Sequence, residues 1–193
     1  MIQKLNTLFN GLHTFIILWA TQGFSALGSS MTSYALVIWA YQQEGSALAS
    51  SLLTVCSYAP YVLLSIFAGA LSDRWNKKLT MLVCDSFAAL CTLSVLAFLA
   101  TGRLELWHLY VVNALSGLGN TLQQPASDVA VSLLTPREQY QKAAGMRAFS
   151  NSLVTILAPV FATALLSALG IYAVIAFDLL TFTTAFLCLV FFV

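Results

Sequence analysis

Six apolar runs divide this chain, at about 12–40, 47–71, 79–101, 107–134, 143–168 and 170–193. A helix rises about 1.5 Å per residue, so roughly 20 apolar residues cross the ~30 Å hydrocarbon layer of a bilayer. Each run reaches that length. Lipid offers no partner to an unpaired backbone N–H or C=O, so each run has to be a helix. Composition agrees: 60% of the 193 residues are hydrophobic and 8% are charged, whereas a water-facing domain carries about 25% charged residues. The predicted fold class is all-α, a polytopic membrane protein whose six transmembrane helices form a single bundle over residues 1–193. Runs of this length exclude a soluble helical bundle.

The connections set the orientation. With the N-terminus cytoplasmic, Lys4, Arg74, Lys77, Lys78, Arg137, Lys142 and Arg147 lie inside and Arg103 lies outside, seven against one, and loops rich in Lys and Arg stay cytoplasmic. The first run resembles a signal peptide in following Lys4. Trp19, Gln22 and further apolar residues continue it past any short cleavage site, so it reads as a retained helix. Cys56, Cys84, Cys91 and Cys188 fall inside runs with neither metal-ligand spacing nor a disulfide framework, and read as packing residues. His13 and His108 lie near helix starts and read as interfacial. The expectation is no metal, no cofactor and, with no basic run long enough to suggest one, no nucleic-acid partner. No Ser/His, paired-Asp or zinc-ligand arrangement stands at catalytic spacing, so the chain is not expected to be an enzyme.

The six runs echo one another three apart. FSALGSS in the first matches LSGLGNT in the fourth, and Ala59-Pro60 in the second matches Ala158-Pro159 in the fifth. Three is odd, so the second triplet crosses the membrane inverted, a 3+3 arrangement known from secondary transporters. Mid-span prolines each remove one helix hydrogen bond and admit a bend. Polar residues keep to helix faces: Gln22, Ser25, Ser29 and Thr32 on the first, Asn113, Ser116, Asn120, Gln123 and Ser127 on the fourth. Such stripes are unfavourable against lipid and tolerated against a neighbour or a water-filled cavity. The expected cavity wall is Gln22, Ser25, Ser29, Asn113, Ser116, Asn120, Gln123 and Gln124. Helix–helix packing is the alternative for the small residues Ser25 and Ser116.

Between the second and third runs stands GALSDRWNKK, residues 69–78, with four charges in ten residues. It resembles the signature loop of the major facilitator superfamily, Gly-x-x-x-Asp-Arg-x-Gly-Arg-Arg/Lys. Gly69, Asp73, Arg74 and Lys78 match, Asn76 replaces the usual glycine, and Lys77 replaces an arginine. QPASD late in the fourth run and the basic loop before the fifth extend the likeness, which is greatest to multidrug and macrolide-efflux-like exporters. The resemblance implies the N-terminal six-helix half of a twelve-helix transporter in a bacterial cell membrane. It also implies a cytoplasmic charge cluster of Gly69, Asp73, Arg74, Lys77, Lys78 and Asp128 that latches one conformation closed, with Asp128 reaching Lys77. Lysine lacks the planar fork of arginine, so such a latch is looser. Gly69 is expected to admit a neighbouring helix. The chain departs from the family in lacking an arginine in the fourth run and in reducing the helix-five antiporter pattern to Ala158-Pro159 with Ala162 and Thr163.

Asp178 is the deepest acid, about 10 Å into the sixth helix if that helix begins near Ile171. A charged aspartate at mid-membrane costs about 2.5–3.5 kcal/mol on insertion scales, which makes Asp178 the candidate proton carrier, with a neutral, hydrogen-bonded acid tying the sixth helix to its neighbours as the alternative. Asp85, nearer the start of the third run, is expected to support the charged loop. The function expected is secondary transport by alternating access, exporting a small amphipathic molecule or drug, with proton antiport as the coupling to test. A lipid or lysolipid translocator and a non-transporting membrane scaffold are the alternatives. The partners expected are a small-molecule substrate, the bilayer and a second six-helix half. That half is expected from a longer version of this chain, with a separate chain or a homodimer mate as alternatives.

Overall fold

The computed structural model describes the backbone of residues 2–135 and 139–192 and the side chains of residues 16–69, 75–133, 135 and 139–191. Six helices follow in order: α1 (Ile2–Glu44), α2 (Ala47–Arg74), α3 (Lys77–Ala100), α4 (Leu106–Leu134), α5 (Tyr140–Leu169) and α6 (Ile171–Phe192). Their ends are set by local chemistry. The Ser46 side chain accepts from the Ala49 amide at 3.4 Å to cap α2, and Asn76 Oδ1 accepts from the Leu79 amide at 3.2 Å to cap α3. Each such bond satisfies an amide that a helix start leaves unpaired. Asn76, the departure from the signature loop, is thus the N-cap of the next helix.

Among the described residues, four helices hold a stretch long and apolar enough to cross a membrane: Ala47–Gly69, Lys77–Ala100, Tyr140–Leu169 and Ile171–Phe191. The two that do not, α1 and α4, carry the polar stripes. Their polar faces have to be covered, and the packing shows by what. The most extensive contact is α2 on α4, followed by α1 on α6, α3 on α4 and α1 on α5. Under the 3+3 repeat α1 corresponds to α4, α2 to α5 and α3 to α6, so α1–α5 is the counterpart of α4–α2, and α1–α6 of α4–α3. α1 and α4 are therefore the hubs of two related trios.

Helices in lipid gain little from apolar contact itself and rely on close approach of small residues. A Cβ on Gly117 of α4 would run into the Ser57 carbonyl of α2 and lie 3.3 Å from Pro60. A Cβ on Gly28 of α1 would meet the Thr181 hydroxyl and lie 3.0 Å from the Asp178 Cα of α6. Ala158 and Ala162 of α5 pack with Met31 and Ala35 of α1 and Val174 of α6. Two further apolar clusters cross between the trios. One joins Leu18, Met81, Ala126, Ala130 and Leu189; the other joins Leu36, Ala40, Leu53, Val95, Leu109 and Ile175. They lie towards opposite ends of the bundle, and the polar residues described next lie between them.

Candidate functional site: two buried carboxyls against α1

Asp178 of α6 is 3% exposed. Its Oδ1 accepts from the Ser29 hydroxyl of α1 at 2.9 Å and its Oδ2 from the Thr92 hydroxyl of α3 at 3.2 Å. Gly28 explains the placement, because the missing side chain lets the α6 backbone ride against α1 beside Ser29. Thr32, one turn further along α1, is also near the carboxyl, but its buried hydroxyl has no hydrogen-bond partner among the described residues.

Asp85 of α3 is 7% exposed. Gln22 of α1 donates to its Oδ2 at 3.2 Å and Gln123 of α4 donates to its Oδ1 at 2.5 Å. This corrects the expectation that Asp85 serves the charged loop. It sits eight residues into α3, about 12 Å along the axis, and its partners are amides of the two hub helices. Among the described residues neither carboxyl has a cationic partner, since the ion pair formed is Arg147 with Asp128.

The spacing makes two rungs. Gln22 and Ser29 are seven residues apart on α1, and Asp85 and Thr92 are seven apart on α3, which is about two turns or ~10 Å in each. The sequence stages through the bundle as apolar, polar, polar, apolar: Leu18 and Met81, Gln22 and Asp85, Ser29 and Thr92, then Leu36 and Val95. Apolar layers thus close the polar pair from both ends.

The remaining cavity candidates divide. Ser25 is buried. Ser116 is half-buried beside Cys91, and Asn113 donates to the Leu109 carbonyl of its own helix at 2.8 Å. Asn120 and Gln124 are exposed on the outer side of α4. Gln22, Ser29 and Gln123 are committed to the carboxyls.

The charge cluster is wired differently from the expectation. Asp128 of α4 pairs with Arg147 of α5, not Lys77. The reason is depth: Asp128 is six residues before the end of α4 and Arg147 seven after the start of α5, so the α4–α5 hairpin brings them level. Lys77 stands at the first residue of α3 and donates to the Trp75 carbonyl at 3.0 Å. Lys78 donates to the Val190 carbonyl at 3.1 Å, near the end of α6, where a cation complements the helix dipole. A Cβ on Gly69 would meet nothing within 4 Å among the described residues, so the close helix approach expected there is not made by any of them. The side chains of Asp73 and Arg74 lie outside the described residues.

Arg147, Thr92 and the amide clamp on Asp85 are the residues that sequence reasoning did not assign. A visible signal existed for the last two, the shared spacing of seven.

The profile of the Major Facilitator Superfamily matches residues 18–193. The chain belongs to that superfamily. Its six helices are half of a major facilitator fold, and the chain is an integral membrane protein of a transporter family. Over 168 residues it is 30% identical to macrolide efflux protein A of Streptococcus pyogenes, covering 86% of this chain and 41% of that protein. Over 168 residues it is 28% identical to the uncharacterized MFS-type transporter YfiS of Bacillus subtilis, covering 86% of this chain and 39% of that protein. A second uncharacterized MFS-type transporter of Bacillus subtilis, YqjV, is 29% identical over 138 residues, 71% of this chain and 32% of that protein. The chain therefore spans about two fifths or less of the length of these superfamily relatives.

Proposed function

We propose that this chain forms the N-terminal half of a secondary transporter that exports a small amphipathic molecule by alternating access. Its N-terminus is cytoplasmic, it resides in a bacterial cell membrane, and a proton moves in the opposite sense through Asp178. A second six-helix half covers the exposed sides of α1 and α4 and completes the cavity. Likeness to a macrolide efflux protein supports export, with a macrolide as the first cargo to test. Exposed Asn120 and Gln124 supply donors and acceptors for such cargo without a fixed charge.

The observation that carries the proton role is the way Asp178 is held. Both of its partners are hydroxyls. A hydroxyl donates to a carboxylate and, turned about its C–O bond, accepts from a carboxylic acid. The site therefore accommodates either protonation state with the same heavy-atom positions. At Asp85 the same change requires a whole glutamine amide to turn over and present its Oε1 in place of its NH2.

The test is macrolide efflux by the full-length transporter in membrane vesicles, driven by an imposed pH gradient. Wild type is expected to respond to the gradient, and Asp178→Asn to lose that response while still binding the macrolide. Gradient-driven efflux by the variant at the wild-type rate rules out the proton role. Absence of macrolide efflux by wild type, with efflux of another organic compound, removes the cargo class and leaves the transport mechanism standing.

A further inference from the structure

α1 is the hub of one trio, with α5 and α6 against it, and α4 is the hub of the other, with α2 and α3. Contacts between the trios, among them α3 with α6, α1 with α2 and α1 with α4, are all slighter than those of either hub with its own helices. Each buried carboxyl straddles that division. Asp85 takes one hydrogen bond within its trio, from Gln123, and one across, from Gln22. Asp178 takes one within its trio, from Ser29, and one across, from Thr92. Because apolar contact alone is a weak guide to register between helices in lipid, directional bonds across a thin contact have most control over it.

We propose that Asp85 is a positioning residue: its carboxylate fixes the axial register between the α1/α5/α6 and α2/α3/α4 trios, with Asp178 as the second, more adaptable clamp. The bundle is then articulated along the plane between its two hubs. The chemistry of the partners separates the two acids. In Asp85→Asn, one carboxylate oxygen becomes an NH2 set against a glutamine NH2, and the pair is kept only if that whole amide turns over to present its Oε1, with the charge-assisted bond lost. In Asp178→Asn the new NH2 meets a hydroxyl that accepts it. Donor and acceptor can also be exchanged. With Gln22→Glu added to Asp85→Asn, the Asn NH2 donates to the new carboxylate while its oxygen still accepts from Gln123.

Thermal unfolding of the full-length protein in nanodiscs, without substrate, reads the register independently of transport and so independently of the function proposed above. Asp85→Asn is expected to lower the midpoint by about 3–6 °C and Asp178→Asn by under about 2 °C. The D85N/Q22E double variant is expected to recover to within about 2 °C of wild type. An Asp85→Asn midpoint equal to wild type, or a double variant no more stable than Asp85→Asn, overturns the proposal. Should Asp85→Asn fail to accumulate, Gln22→Leu, Gln123→Leu and their combination replace it. The two losses are expected to be strongly non-additive, since both amides act through one carboxylate; additive losses overturn the proposal.

Discussion

Gly117 of α4 lies directly over the Ser57 carbonyl of α2, in the most extensive helix contact of the bundle. The obstacle is backbone next to a proline, so it cannot turn aside as a side chain would. Gly117→Ala is expected to destabilise the protein by about 1–3 kcal/mol through overpacking, read as a lower unfolding midpoint in detergent. Gly69→Ala, with nothing within 4 Å among the described residues, serves as the comparison and is expected to leave the stability of this bundle within about 1 kcal/mol of wild type.

Asn76 separates a capping role from a loop role. Asn76→Ala removes the acceptor for the Leu79 amide and is expected to cost about 1 kcal/mol, whereas Asn76→Gly costs only a few tenths, roughly. Equal losses in chemical unfolding would show that the cap contributes nothing. The small cost of glycine also explains how the superfamily's usual residue is accommodated at this position.

The Asp128–Arg147 pair is expected to matter for conformation more than for stability. Asp128 is 59% exposed and Arg147 28%, and exposed ion pairs contribute about 0–1 kcal/mol. Asp128→Asn and Arg147→Gln should each shift the unfolding midpoint little. If the pair latches the α4–α5 end of the bundle, both variants change efflux rate alike, and exchanging the residues (D128R with R147D) restores it. Efflux unaffected by either single variant removes the latch.

Lys78 tests the link between the first turn of α3 and the last of α6. Lys78→Met keeps the stem and removes the donor to the Val190 carbonyl. The expected outcome is faster amide exchange confined to the final turn of α6, with the midpoint lowered by no more than about 1 kcal/mol. Unchanged exchange there shows that the contact does not restrain the helix end.

The fold was legible because the constraint is severe: apolar runs of this length admit one backbone solution. The inverted relation of the triplets was legible too, from Ser-x-Leu-Gly in α1 and α4 and the prolines of α2 and α5. What the stripes touch was not. Gln22 and Gln123 look equally suited to a wet cavity or a buried acid, and choosing requires knowing that Asp85 of α3 comes level with Gln22 of α1 and Gln123 of α4 inside the bundle. The partner of Asp128 was missed for a similar reason. Lys77 is nearer to the charged motif in the chain, but depth in the membrane decides which charges meet, and α4 and α5 bring Arg147 to the right level. Glycines mislead in the same way: Gly69 sits in the conspicuous motif, whereas Gly28 and Gly117 carry the close approaches.

The chain reverses through Gly45, Gly102 and Gly170, with φ of 63°, 65° and 81°, and these three short reversals join α1 to α2, α3 to α4 and α5 to α6 on one face of the membrane. A left-handed residue in so brief a connection leaves little slack to pay out. One of the three, the reversal at Gly45, joins helices of different trios and so tethers them at that rim. The other connection between the trios, α4 to α5, lies on the opposite face and is longer, so the trios are held closer beside Gly45 than at the far rim.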